Sequence, residues 1–80
     1  MASLAEFYLS RRPEFRRPGA LLEALTRRLG SPPPFPAGAL AQCIAEDFEA
    51  DRLVIHKGRV FAEMEARLMA QLAALGPPVG

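Results

Sequence analysis

The stretch Ala50-Asp51-Arg52-Leu53-Val54-Ile55-His56-Lys57-Gly58-Arg59-Val60-Phe61 decides how this chain folds. Leu53-Val54-Ile55 and Val60-Phe61 are short β-branched and aromatic runs on either side of Lys57-Gly58, the pattern of two strands joined by a tight turn. Lys-Gly is a weaker two-residue turn than Asn-Gly or Asp-Gly. The register is therefore open between a two-residue loop and a three-residue loop with Gly58 in the left-handed region.

Outward from the hairpin, the apolar residues repeat at helical spacing. Ser3 with Glu6 three residues on has the form of a capping box. Leu4, Phe7 and Tyr8 then predict a first helix to Arg11 or Arg12, stopped by Pro13. Pro18 suits the first turn of a second helix, whose stripe is Leu21, Leu22, Leu25 and Leu29 and whose cap is Gly30. Ser31-Pro32-Pro33-Pro34-Phe35-Pro36 is a stiff extended connector. A third helix is expected over Ala37 to Ala50 with Leu40, Cys43, Ile44 and Phe48 inward. A last helix is expected over Ala62 to Leu75 with Met64, Leu68, Leu72 and Leu75 on one face, ended by Gly76-Pro77-Pro78. This order predicts an α+β domain, mostly helical and winged-helix-like, with three helices, a β-hairpin wing and a C-terminal helix. Residues 1–80 read as one domain, 76–80 being a linker-like tail. The expected core is Phe7, Leu25, Leu29, Phe35, Leu40, Ile44, Phe48, Leu53, Phe61, Leu68 and Leu72.

Half of the 80 residues are apolar, enough for a compact core without disulfides, and the one cysteine, Cys43, has no partner for a bridge. With no basic leader ahead of an apolar segment, and no apolar run near the roughly 18 residues of a membrane span, a cytoplasmic protein is expected. The net charge of +1 conceals an asymmetry. Residues 1–30 carry +3, from six arginines and three glutamates, and residues 31–80 carry −2.

The residues for catalysis are few. His56 is the one histidine and has no serine or cysteine beside it, so a nucleophile activated by a base is not expected. Glu46, Asp47, Glu49 and Asp51 lack the glycine of a Ca²⁺ loop and read as a solvated acidic helix end. There is no phosphate-cradling GxxxxGK[ST] run. The expectation is a binding domain without enzyme activity, cofactor or metal.

Structured RNA, or DNA, is the expected partner. The third helix contains no Lys or Arg and presents Gln42, Glu46 and Glu49 outward, so base reading by that helix would set carboxylates against phosphates. The candidate nucleic-acid-binding residues are Arg11, Arg12, Arg16 and Arg17 after the first helix, with Lys57 and Arg59 on the wing. They would touch the backbone, a mode common for structured RNA. The alternative is a protein-interaction module, or a small regulatory protein that occludes or bridges a larger partner, acting on a larger protein or a second copy through an exposed apolar part of the last helix such as Met69.

The order Leu4 and Phe7, Pro13, Pro18-Gly19, Leu22 and Leu25, Phe35, Ile44, Leu53-Val54-Ile55 and Gly58-Arg59-Val60-Phe61 resembles the winged-helix modules in the C-terminal part of the bacterial selenocysteine-specific elongation factor. In that family several modules are strung together and the last grips an mRNA hairpin. The resemblance covers Leu4 to Pro78 and implies an RNA-facing or spacer module. The family's RNA-contacting residues have no clear counterparts here, and the chain has no GTPase segment.

Overall fold

The computed structural model describes residues 3–74. In chain order these form α1 (Leu4–Arg11), a 3-10 turn (Pro13–Arg16), α2 (Ala20–Leu29), α3 (Ala37–Glu49), β1 (Leu53–His56), β2 (Arg59–Ala62) and α4 (Glu63–Ala74). It is a small, mostly helical α+β arrangement of four α-helices and one antiparallel hairpin. The expected Gly76-Pro77-Pro78 stop and Leu75 lie outside the described residues.

Local signals account for most boundaries. Ser3 caps α1, its hydroxyl accepting from the Glu6 N–H at 3.2 Å, while the Glu6 carboxylate turns to Arg16 at 3.5 Å. Gly30 caps α2 at φ +78°, its N–H donating to the Thr26 carbonyl. Pro18, expected in the first turn of α2, does not sit there. The helix begins at Ala20 behind Gly19, also at φ +78°, so the left-handed glycine sets the start and Pro18 stays in the preceding turn.

The hairpin register runs Leu53↔Ala62, Val54↔Phe61, Ile55↔Val60 and His56↔Arg59, leaving Lys57-Gly58 as a two-residue turn. Lys57 at φ 53° and Gly58 at φ 75° are both left-handed, as a type I′ turn requires. A Cβ on Gly58 would meet nothing within 4 Å, so the penalty for another residue there is backbone strain alone. Gly58→Val should lower stability by about 1–2 kcal/mol, the left-handed cost for an L-residue. An unchanged urea midpoint would show that the turn does not hold this geometry.

The core is built where α1 packs on α4, with α2 and α3 closing around them. Leu25 and Met64 are fully buried, with Ala5, Tyr8, Leu21, Cys43, Ala66 and Ala70 around them. Of the expected core, Leu25 is buried, and Phe7, Leu29, Phe35, Leu40, Ile44, Leu53, Phe61 and Leu68 are half-buried. Phe48 and Leu72 are corrections: they remain 46% and 61% exposed. The reason is helical phase. The inward stripe of α3 is Leu40, Cys43, Ile44 and Asp47, at i, i+3, i+4 and i+7, so the aspartate takes the slot expected for Phe48. In α4 the buried residues are Glu63, Met64, Ala66 and Ala70, and Leu72 falls on the outside.

Candidate nucleic-acid interface

Two carboxylates organise the polar side of this core. Asp47 is completely buried at the end of α3. It faces the Arg28 guanidinium of α2 at 2.7 Å and accepts from Arg52 Nε at 2.9 Å and from the Met64 N–H at 2.7 Å. One side chain thus joins three elements and satisfies a free amide of the first turn of α4. Burial by itself would push its carboxyl up, but the hydrogen bonds from Arg28, Arg52 and Met64 outweigh it and hold it below its ordinary value. This overturns the reading of Glu46, Asp47, Glu49 and Asp51 as one solvated acidic end. Only Glu46, Glu49 and Asp51 are exposed.

Glu63 opens α4 and is nearly buried. Its Oε2 accepts from the Tyr8 hydroxyl at 3.0 Å and from Arg12 at 3.2 Å, with Arg67 at 3.4 Å. Arg67 Nε also donates to the Tyr8 hydroxyl oxygen, and its guanidinium lies over the Phe15 ring. Burial is the main reason the Tyr8 phenol is pushed up to about 12, so it remains a neutral donor.

The six candidate cations fall into two groups. Arg11 lies over the Phe7 ring, 5.5 Å from its centroid, and Phe7 meets the His56 ring at 4.8 Å. His56 is the cross-strand partner of Arg59, and Lys57 follows it in the turn. Arg11, Lys57 and Arg59 are thereby linked across α1 and the hairpin, with Arg12 next along α1. These three make no ion pair among the described residues. Arg16 and Arg17 stand apart on the 3-10 turn and just after it, paired with Glu6 at 3.5 Å and Glu23 at 3.9 Å.

A cleft of about 330 Å³ opens between the end of α1 and the start of β1, lined by Arg11, Arg12, Arg52, Tyr8, Asp51 and Glu63. Arg52 was not among the sequence candidates. Its place in the cleft depends on Asp47, whose inward position only the i+7 spacing from Leu40 could have signalled. On another side of the molecule, Leu4, Ile44, Phe61, Leu68 and Met69 line an apolar groove of about 440 Å³. Among the described residues no cluster of His, Cys, Asp or Glu is arranged to hold a metal, and no helix is long and apolar enough to cross a membrane.

The chain is a small α+β domain in which four of the six candidate cations, Arg11, Arg12, Lys57 and Arg59, lie at the end of one helix and on one hairpin. No protein-family model matches the chain, and neither curated proteins nor solved structures give a match.

Proposed function

We infer that the chain is a non-catalytic, winged-helix-like module that binds nucleic acid, RNA before DNA, through the phosphate backbone. The observation that carries this reading is the run Arg11–Phe7–His56–Arg59, which unites cations from the end of α1 with those of the hairpin. Charges that hold no carboxylate partner are free to displace counterions from phosphates. The α3 helix holds no Lys or Arg, which favours contact by the wing and α1 over insertion of α3 into a groove. The resemblance to modules of the selenocysteine-specific elongation factor agrees with this reading, as one module of a longer array. A protein partner is the second reading, favoured by the apolar groove beside Met69 and by the exposed Phe48 and Leu72.

Fluorescence anisotropy with an RNA hairpin and a DNA duplex, titrated with salt, tests the proposal. The triple variant Arg11→Glu, Lys57→Glu, Arg59→Glu should lose measurable binding at physiological salt. Its side chains break no ion pair, so its melting temperature should stay close to the parent's. Arg16→Glu with Arg17→Glu should weaken binding less, and Met69→Glu should leave it intact. No binding to either nucleic acid at low salt, with self- or protein association that Met69→Glu abolishes, would establish the second reading instead.

A further inference from the structure

We propose that the cleft between α1 and β1 is a seat for one phosphate group of the bound strand, with Arg52 as a contact residue alongside Arg11 and Arg12. This deepens the nucleic-acid reading and rests on it. Arg12 and Arg52 are held in the same manner. Each buried carboxylate is met by two guanidiniums, one behind it in the protein and one at the cleft. Asp47 has Arg28 behind, 19% exposed, and Arg52 in front, 47% exposed. Glu63 has Arg67 behind, 16% exposed, and Arg12 in front, 51% exposed.

The inner arginines already offset the buried charges, so Arg52 retains positive charge at the cleft, and Arg12 shares its own only with the exposed Glu14 at 3.8 Å. Arg52 is fixed further by its own backbone: its N–H donates to the Asp47 carbonyl at 2.8 Å and its carbonyl accepts from the Glu63 N–H at 2.9 Å. Its side chain is tethered to Asp47 through Nε, which leaves the terminal nitrogens open toward the cleft. Arg11 enters from α1 and is steadied on the Phe7 ring.

Two guanidiniums fixed by buried acids, and a third resting on a ring, form a preorganised fork that suits phosphate oxygens. Asp51 and Glu63 in the lining oppose an anion and Glu14 lies 3.8 Å from Arg12, yet the three arginines of the lining, Arg11, Arg12 and Arg52, outnumber its two carboxylates. Free phosphate and a backbone phosphodiester share this chemistry, and the test separates them.

Binding of the full chain to an RNA hairpin would be measured against salt for the parent, Arg52→Gln, Arg11→Gln and Asp51→Asn. In parallel, arginine Nε resonances would be followed by NMR as inorganic phosphate is added. Arg52→Gln should weaken binding about tenfold, the worth of one charged hydrogen bond, and flatten the salt slope by about one phosphate. Because Asp47 loses a partner in that variant, Asp51→Asn supplies a measurement free of folding effects. Asn accepts the left-handed backbone at this position, φ 58°, and should tighten binding several-fold. Arg27→Gln, on the exposed face of α2, is the control and should change nothing.

RNA bound with parental affinity and slope by all three cleft variants overturns the seat and leaves the nucleic-acid reading standing. Failure of RNA to bind, while phosphate shifts the Arg12 and Arg52 resonances, ends the nucleic-acid reading and supports a seat for free phosphate. No response to either ligand overturns both.

Discussion

Replacing Asp47 with alanine is expected to destabilise the domain by about 3–5 kcal/mol, the usual result of removing one partner from a buried ion pair. Domains of this kind have only about 5–15 kcal/mol in total, so much of the variant should be unfolded at 37 °C. The loss has two parts. Arg28, only 19% exposed, loses its close partner and keeps only the half-exposed Glu46 at 3.8 Å, and the Met64 N–H loses its acceptor at the start of α4. Arg52, at 47% exposure, can turn to water and adds little.

Asp47→Asn keeps an acceptor for Met64 but not the charge, so its effect should be intermediate. The pH dependence follows from the lowered carboxyl. A group whose folded value lies below its unfolded one stabilises fully above the unfolded value, here 3.8, and loses that contribution as pH falls through the folded value. The parent should therefore lose stability below about pH 4, and Asp47→Asn should show a flatter acid limb. Urea unfolding followed by circular dichroism at several pH values reads both effects. Equal midpoints for parent and Asp47→Ala would mean that the Arg28–Asp47–Arg52 cluster is not formed in solution.

The second large effect is expected at Leu25. Its side chain is fully enclosed by the core cluster, and Leu25→Ala should cost about 2–5 kcal/mol through lost burial and the cavity left behind. Phe48→Ala and Leu72→Ala, on the surface, should stay within about 0.5 kcal/mol of the parent. Leu68, half-buried at the edge of the core, should fall between them. Comparing these variants measures the phase of α3 and α4 directly. A large loss at Phe48 would mean that α3 is rotated about its axis, and a large loss at Leu72 would mean the same of α4.

Much of the element order was legible in the residues. Ser3, Gly30 and the alternating runs around Lys57-Gly58 act within a few positions of themselves, and the structure follows them. The inward faces of α3 and α4 were less legible. A search for apolar stripes passes over Asp47, Glu63 and Arg67, and alanine contributes weakly to such a pattern, although Ala66 and Ala70 lie in the core. The same preference for Leu and Phe placed Phe48 and Leu72 inside. Six candidate cations could be counted from the sequence, but nothing in their spacing divided Arg11, Arg12, Lys57 and Arg59 from Arg16 and Arg17.

The sequence by itself determined most of the element boundaries among the described residues, because caps, left-handed glycines and side-chain period act over one or two turns of chain. Tertiary structure decided which polar groups are buried and which cations stand free. Tyr8 and Arg12 reach Glu63 over 55 and 51 positions, Arg67 reaches Tyr8 over 59, and Asp47 reaches Met64 over 17. A carboxylate can enter a core only where several donors arrive together to offset its desolvation. That condition belongs to the packed helices as a set, and no local pattern of residues expresses it.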